Sequence, residues 1–255
     1  MRISDCIAVV TGGASGLGEA TVRMFVREGG QAAILDLDEE RGLRIASELG
    51  DRAIFCRTDV VDEESVQSAI NKTLASFGAI HIAVNCAGIS PPAKVLGKNG
   101  PISISLFNRV VQINLIGTMN VIRLSAEKMV ENSANADGEK GIVVNTASAA
   151  AFDGQIGQAA YSASKAGVVG MTLPIAREFA EYGIRVVTIA PGLFETPMLA
   201  GLPEKAKESL GKMTPFPKRL GRPAEFSGLV QHIIENPMLN GEVIRLDGAL
   251  RMAAR

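Results

Sequence analysis

The sequence predicts a single α/β domain over residues 1–255, with a doubly wound sheet of seven parallel strands and helices on both faces. Two features of the chain predict this fold class. Short apolar runs alternate with longer amphipathic segments along the chain, as strands alternate with crossover helices. The runs are also apolar at nearly every position, which is typical of strands that are buried on both faces of a parallel sheet.

Each apolar run supplies one strand. In chain order the predicted strands are Cys6–Val10, Gln31–Asp36, Ala53–Arg57, Ile80–Asn85, Gly141–Thr146, Arg185–Ala190 and Glu242–Leu246. A helix is predicted in the connections between them, so that consecutive strands run in the same direction.

The predicted helices begin and end at residues that suit helix termini. Gly50 follows the helix Glu39–Leu49, and Gly78 follows a helix that Asp62 can cap and that reaches Phe77. Pro223 suits the first turn of the last helix, which ends before Pro237. The remaining helices run from the first glycine-rich turn to about Arg27, from about Ser105 to Val130, and from about Gln158 to Ala180. The loops are Ser90–Ser103, Glu131–Lys140 and the irregular segment Leu193–Gly221.

Composition excludes several classes of protein. Apolar residues form 47% of the chain, charged residues form 21%, and the net charge is −1, so no nucleic-acid partner is expected. No apolar run approaches the roughly 18 residues that span a bilayer, and no targeting segment is recognised before the first strand, so a cytoplasmic protein is expected. Three scattered cysteines and two distant histidines predict neither a disulfide framework nor a metal site.

A glycine-rich turn, Thr11 to Gly18, joins the first strand to the first helix. Glycines at such a turn let the backbone approach a pyrophosphate, and the helix N-terminus favours its charge, as in dinucleotide-binding folds of the Rossmann type. Asp36 ends the second strand, where a carboxylate binds the adenosine ribose hydroxyls and repels a 2′-phosphate. Asp36 and the uncharged Ser15 therefore favour NAD over NADP, although Asp36 alone could be a capping or solvated acid.

The glycine spacing, Gly-x-x-x-Gly-x-Gly over residues 12–18, resembles that of the short-chain dehydrogenase/reductase family. Asp59-Val60 resembles the adenine-contacting pair of that family. The segment from Asn85 to Gly88 resembles its Asn-Asn-Ala-Gly element, with Cys86 as a departure. The resemblance implies a cofactor site made of Gly12, Ser15, Gly16, Leu17, Gly18, Asp36, Asp59, Val60, Asn85, Ala87, Gly88, Tyr161, Lys165, Pro191, Gly192 and Thr196.

Tyr161 and Lys165 stand four residues apart and share one face of a predicted helix. A nearby ammonium lowers the pKa of a phenol, which then exchanges a proton with an alcohol more readily. Ser148 follows the fifth strand, at the sheet edge that borders the ligand crevice, and can hold the substrate oxygen. Alternatively, Tyr161 and Lys165 could be an exposed pair on a helix, and Ser148 could be an ordinary loop serine. The combined spacing of the three residues, however, matches the catalytic set of the family.

The resemblance adds Asn114 as the fourth catalytic residue and implies that it holds a water linking Lys165 to solvent. It also implies that Tyr161 removes the proton of a secondary alcohol while hydride passes to the nicotinamide, with Lys165 binding the ribose and no metal taking part.

Three further stretches, residues 154–161, 189–194 and 234–248, resemble the subgroup that oxidises short-chain and branched 3-hydroxyacyl-CoA with NAD and accepts some hydroxysteroids. This resemblance implies a homotetramer acting on a small molecule, with segment 193–221 as a substrate lid.

Ser148, Tyr161 and Gln155 are the candidate substrate contacts, and Glu195 departs from the small residue that the subgroup has at this position. The lysines at 94, 98, 205, 207 and 212 could meet the CoA phosphates or be solvated. A 3-oxoacyl reductase, another short-chain alcohol dehydrogenase and a non-catalytic nucleotide-bound scaffold are the alternatives.

Overall fold

Seven strands form one parallel sheet in the structure, a computed structural model that describes residues 1–98, 100–197 and 203–254, without the side chains of residues 206 and 207. The strands of this sheet are β1 (Ile7–Thr11), β2 (Gln31–Asp36), β3 (Ala53–Arg57), β4 (Ile82–Asn85), β7 (Gly141–Thr146), β8 (Ile184–Pro191) and β9 (Val243–Leu246). Two short strands, β5 (Leu96–Gly97) and β6 (Gly100–Pro101), form a separate antiparallel hairpin.

The strand order is β3-β2-β1-β4-β7-β8-β9, and every neighbouring pair is parallel. The chain therefore winds outward from β1 in one direction through β3 and then crosses back to β4. This reversal leaves a crevice at the carboxyl ends of β1 and β4, which is where doubly wound sheets bind nucleotides. The predicted fold class is confirmed.

Helices cover both faces of the sheet. Their bounds are α1 (Gly16–Arg27), α2 (Glu39–Leu49), α3 (Glu63–Phe77), α4 (Ile104–Val111), α5 (Gly117–Met129), α6 (Ala159–Phe179), α7 (Glu204–Lys212) and α8 (Pro223–Glu235). One apolar core joins Val10 and Val84 to Phe25 of α1 and Phe226 of α8. The other joins Val9 and Val143 to residues of α3, α5 and α6. Because successive strand residues point to opposite faces, both cores need the apolar runs to be continuous.

The structure differs from the sequence prediction in three places. The helix predicted from Ser105 to Val130 contains a π-helical turn, Gln112–Ile116, between α4 and α5. The hairpin β5–β6 lies in the predicted loop 90–103, and helix α7 lies in segment 193–221, which was expected to be irregular. Residue 99 and residues 198–202 of these two predicted loops lie outside the described residues. Strand ends differ from prediction by one or two residues, as at β4.

Within the described ranges, no helix is long and apolar enough to cross a membrane.

Candidate active site

The glycine-rich turn lies against the backbone that follows β4. Gly12 has a φ of +63°, and a Cβ at this position would lie 2.9 Å from the amide nitrogen of Ala87. A Cβ at Gly18 would overlap the carbonyl of Gly12. The hydroxyl of Thr11 accepts hydrogen bonds from the amides of Cys86 and Ala87, at 3.1 and 3.2 Å. Glycine is required here because the turn and the β4 loop have no room for side chains.

The amino end of α1 fits a dinucleotide phosphate. Ser15 is the N-cap residue of α1, but its side chain makes no cap hydrogen bond to the helix. The first amides of α1 are thus left uncapped by that side chain, as an anion-binding helix end requires. The half-buried side chain of Leu17 packs against the apolar core. The glycine-rich turn, which carries no side chains at Gly12 and Gly18, and this helix end together fit a bound pyrophosphate.

Asp36 closes the glycine-rich turn from the end of β2. Its carboxylate accepts a hydrogen bond from the Ala14 amide at 3.0 Å and another from the Asp38 amide at 3.1 Å. Each carboxylate oxygen has a second lone pair for a ribose hydroxyl. Asp36 is thus placed to shape the turn and to face the adenosine end of a nucleotide.

The adenine side of the crevice carries the predicted pair at 59 and 60. Val60 is 8% exposed, and its carbonyl accepts a hydrogen bond from the Asn120 amide group at 3.0 Å. Asp59 is exposed and accepts a hydrogen bond from the amide of Val61 at 3.0 Å. Asn85, at the end of β4, is buried and donates to the side chain of Asn145 at 2.9 Å. Asn85 therefore ties β4 to β7 and is oriented toward the sheet.

Ser148 and Tyr161 are brought together at the carboxyl edge of the sheet. Ser148 follows β7 and begins a 3-10 turn, where its hydroxyl accepts a hydrogen bond from the Ala150 amide at 3.1 Å. Burial raises the pKa of Tyr161, and a hydrogen bond between the Tyr161 and Ser148 side chains opposes that rise. The two hydroxyls thus form a pair that can hold one substrate oxygen between them.

Lys165 is 4% exposed, and its ammonium donates a hydrogen bond to the Thr146 carbonyl at 2.7 Å. Burial lowers the pKa of Lys165 to about 8, and the neighbouring Cys86 side chain opposes that fall. The ammonium lies 5.9 Å from the centre of the Tyr161 ring. The expected lowering of the Tyr161 pKa by Lys165 is not seen, because the ammonium is turned to Thr146.

Asn114 lies in the π-helical turn and is fully buried. Its side-chain oxygen accepts from the Ile89 amide at 2.8 Å, and its amide group donates to the Ile89 carbonyl at 2.9 Å. The same amide group donates to the hydroxyl of Ser164 at 3.0 Å, and that hydroxyl donates to the Tyr161 carbonyl at 2.7 Å. Asn114 thus connects the β4 loop to the helix that carries Tyr161.

Gly88 separates Asn114 from Lys165. A Cβ at Gly88 would lie 3.1 Å from the Asn114 side-chain oxygen and 3.6 Å from the Lys165 Nζ. A larger residue would therefore push these two groups apart. Gly88 therefore lies beside two of the four predicted catalytic residues, Asn114 and Lys165.

The nicotinamide side of the crevice is formed by the turn after β8. The Gly192 amide donates to the Leu246 carbonyl at 2.9 Å, which holds Pro191 and Gly192 against β9. Thr196 and Pro197 contact the glycine-rich turn, since a Cβ at Gly16 would lie 3.2 Å from Pro197 and 3.4 Å from Thr196. Beside this contact lies a cavity of about 860 Å³ between α1 and the segment 195–223. Among the described residues, its lining includes neither Ser148 nor Tyr161, so this cavity is separate from the catalytic pair.

Gln155 is engaged by the end of the chain. Its side-chain amide donates to the Ala253 carbonyl at 3.0 Å, and its backbone amide donates to Gln158. A direct substrate contact by Gln155, as the sequence suggested, would have to use the second N–H or the oxygen of this amide group while the bond to Ala253 is kept.

The sequence interpretation missed two residues that position the catalytic groups. Ser164 and Thr146 hold Tyr161 and Lys165 through the bonds described above. Ser164 is a polar residue at a buried position of a helix, and such a residue needs a hydrogen-bond partner, which could have pointed to its role. No sequence signal indicates the Thr146 carbonyl, because any residue supplies one.

A family model of short chain dehydrogenases matches residues 6–207. The chain belongs to the short-chain dehydrogenase family. A curated 3-hydroxyacyl-CoA dehydrogenase type-2 of Drosophila melanogaster is 55% identical over 252 residues, which covers 98% of this chain and 99% of that protein. The family match makes this protein an oxidoreductase that uses a nicotinamide cofactor.

Solved structures agree with this assignment. The 3-hydroxyacyl-CoA dehydrogenase type-2 of Mycobacterium avium is 41% identical, covers 100% of both chains and gives a TM-score of 0.95. A 3-ketoacyl-(acyl-carrier-protein) reductase of Brucella melitensis complexed with NADH is 27% identical and gives a TM-score of 0.88, covering 98% of this chain and 100% of that one. The dehydrogenase is therefore more similar to this chain than this reductase is.

Proposed function

We propose that this protein is an NAD-dependent dehydrogenase that oxidises short or branched 3-hydroxyacyl-CoA to the 3-oxo form, reversibly, with hydroxysteroids as possible further substrates. The observation that carries the proposal is the arrangement of Tyr161 and Lys165 on α6, with the Lys165 ammonium 5.9 Å from the centre of the Tyr161 ring and bonded to the Thr146 carbonyl at the end of β7. The similarity to dehydrogenases of this name, over nearly the full chain, supports the substrate class.

Proton transfer is assigned to Tyr161. Ser148 and Tyr161 hydrogen-bond the carbinol oxygen, and Tyr161 takes its proton as general base. A bound nicotinamide cofactor would supply the acceptor for the hydride of the carbinol carbon. Lys165 binds the nicotinamide ribose in this proposal and supplies positive charge near the phenolate. Asn114 and Ser164 keep the helix turn of Tyr161 in place, and reduction uses the same groups in reverse.

The preference for NAD rests on Asp36. Its carboxylate is fixed by two backbone amides at the end of β2 and cannot turn away from an incoming adenosine ribose without breaking them. A 2′-phosphate at that position would face this fixed negative charge, which disfavours NADP. The cofactor residues predicted around the crevice are proposed to bind NAD in this arrangement.

The CoA part of the substrate is proposed to lie along the hairpin β5–β6. Its exposed residues include Val95 and Leu96, at 62% and 76% exposure, next to the exposed Lys94 and Lys98. The Ala93 amide donates to the Gly157 carbonyl at 2.8 Å, so the hairpin stands beside the loop between Ser148 and Tyr161. Apolar contact and lysine charge suit a pantetheine chain and phosphates. Segment 193–221, with α7, is proposed as the lid; the side chain of Lys207 lies outside the described residues.

A substrate panel tests this proposal. We expect NAD-linked oxidation of 3-hydroxybutyryl-CoA and 2-methyl-3-hydroxybutyryl-CoA to exceed oxidation of a 17β-hydroxysteroid. Exclusive turnover of 3-oxoacyl-(acyl-carrier-protein) with NADPH would instead identify a reductase and refute the proposal. If a strain carrying Tyr161→Phe kept the cellular role of the protein, that result would favour the scaffold alternative.

We further propose a cytoplasmic homotetramer. Ile116 at the end of the π-helical turn, Met119 of α5 and Leu173 of α6 are large apolar residues that are 39–46% exposed, as an interface between copies requires. The free thiols of Cys6, Cys56 and Cys86 support a reducing compartment. Sedimentation velocity tests the tetramer, and cell fractionation tests the compartment; a monomer or a membrane-enclosed location would contradict the respective proposal.

A further inference from the structure

The segment that joins Ser148 to Tyr161 is tied to the C-terminal part of the chain by an arginine. Arg245, in β9, contacts the Asp153 carboxylate at 2.5 Å and the Asp247 carboxylate at 2.7 Å. Its guanidinium also lies 5.1 Å from the centre of the Phe152 ring. Phe152 and Asp153, which are adjacent in the Ser148–Tyr161 segment, thus both contact the side chain of Arg245 in β9.

The other end of this ion network holds the nicotinamide-side turn. A Cβ at Gly192 would lie 2.8 Å from the Cβ of Asp247, so the two residues are packed together. Asp247 is further fixed by the Ala249 amide at 3.0 Å and by Arg251 at 3.3 Å. Arg245 therefore spans from the turn after β8 to the segment that follows Ser148.

The end of the described chain reinforces the same segment. The Ile156 amide donates to the Ala254 carbonyl at 3.0 Å, next to the Gln155–Ala253 bond. Arg245 also donates to the Leu250 carbonyl at 2.9 Å, which fixes the start of this terminal stretch. Arg245 thus holds the Ser148–Tyr161 segment both directly and through the terminal stretch that pairs with it.

We propose that Arg245 is a positioning residue for catalysis, which keeps Ser148 within hydrogen-bond reach of Tyr161 by anchoring Asp153. This role rests on the proposed function, because it acts on the Ser148–Tyr161 pair. The planar guanidinium is needed, since its separate nitrogens reach two carboxylates at once, which an ammonium cannot do with the same geometry. The side chains of Arg245 and Asp153 are only 20% and 21% exposed, so water replaces their contact poorly.

A readout separates positioning from a merely structural role. The hydrogen bond with Ser148 opposes the rise in the Tyr161 pKa, so displacing Ser148 lets that pKa rise further. The titratable groups near Tyr161 are Lys165 on its own helix, whose ammonium lies 5.9 Å from the centre of the ring, and the Cys86 thiol after β4, which is close to Lys165. Neither contacts Arg245 in the described network, so an altered pH profile reports Ser148.

The experiment compares Arg245→Gln, Arg245→Lys and Asp153→Ala with the wild type, using the alcohol that the wild type oxidises best. Arg123→Gln is the control, because it breaks a more exposed 2.7 Å ion pair with Glu63 between α5 and α3 and removes no contact of the Ser148–Tyr161 segment. The measurements are kcat, KM, the pH profile of kcat/KM and the Kd of NADH.

We expect Arg245→Gln and Asp153→Ala to lower kcat by about ten-fold or more and to shift the rise of kcat/KM to higher pH. The Kd of NADH should stay near that of the wild type, Arg245→Lys should be intermediate, and the control should match the wild type. Asp153→Ala keeps the test open should Arg245→Gln fold poorly, because it leaves the Arg245–Asp247 pair in place.

An unchanged kcat and pH profile in folded Asp153→Ala would overturn the positioning role alone. Equal losses in the Arg123→Gln control would overturn it too, since the effect would then be general destabilisation. A wild type that oxidises none of the alcohols would overturn the proposed function, and the positioning role with it.

Discussion

Replacing Asn114 by alanine removes three hydrogen bonds from a fully buried position. The lost partners are the Ile89 amide and carbonyl, at 2.8 and 2.9 Å, and the Ser164 hydroxyl, at 3.0 Å. A buried polar group left without a partner costs about 1–3 kcal/mol. Ser164 keeps its bond to the Tyr161 carbonyl, and Ile89 is only half-buried. We therefore expect Asn114→Ala to lower the free energy of unfolding by about 2–4 kcal/mol.

The same substitution should also slow catalysis, because Asn114 connects the β4 loop to the helix turn of Tyr161. We expect a fall in kcat of about 10- to 100-fold at saturating substrate. Urea denaturation and initial-rate kinetics on the same preparation measure both effects. Asn132→Ala is the control, since the side-chain amide of the half-buried Asn132 also connects two segments of backbone, by donating to the carbonyls of Ile80 and Lys140 at 2.7 and 3.0 Å.

The control should lose stability but keep its kcat, because Asn132 lies at the opposite, amino-terminal edge of the strands. An Asn114→Ala protein with wild-type kcat would refute the link between the π-helical turn and Tyr161. An unchanged urea midpoint would refute the hydrogen-bond estimate itself.

Three further predictions concern the cofactor, the proton and the core. Asp36→Ala should raise the Kd of NAD by about ten-fold or more and raise that of NADP less, as fluorescence titration would show; equal changes would contradict ribose recognition. Tyr161→Phe should abolish nearly all turnover while NADH still binds. Because burial raises the Tyr161 pKa, oxidation by the wild type should increase toward alkaline pH, where the phenolate forms, and a rate that falls there would contradict the general base. Glu139→Gln should lower the free energy of unfolding by about 3 kcal/mol, since it breaks a buried 2.6 Å pair with Arg185, and a chemical-denaturation midpoint near that of the wild type would contradict this.

The sheet was predictable because burial on both faces leaves a plain sequence signature. The strands Gln31–Asp36, Ala53–Arg57 and Gly141–Thr146 were predicted with their observed bounds. The π-helical turn was not predicted, because it spans only Gln112–Ile116 and each of the α-helices on either side keeps the ordinary helical periodicity. Tight packing accompanies it, since a Cβ at Gly167 of α6 would lie 2.7 Å from Leu115. Such contacts belong to the tertiary structure and cannot be read from spacing.

The candidate site was predictable to the extent that its residues follow strands. Ser148 and Asp36 were placed by their positions after apolar runs, and the structure puts both at the carboxyl edge of the sheet. The orientation of Lys165 was not predictable, because a buried ammonium takes the nearest free acceptor and here that is a main-chain carbonyl. Spacing of four residues fixes a shared helix face but does not fix which group the side chain bonds.

The anchors of helix α6 explain how a tyrosine with a raised pKa can still be held for proton transfer. Ser164 bonds the π-helical turn, and Lys165 bonds the end of β7, so two adjacent residues of α6 fix it to two different elements. Tyr161 lies one helical turn before these two residues, so the bonds that fix them also fix the backbone of Tyr161. Its ring therefore needs no further bond of its own except to Ser148, and that bond is the one that opposes the cost of burying the phenolate. A movement of the Ser148–Tyr161 segment would therefore affect proton transfer by displacing Ser148.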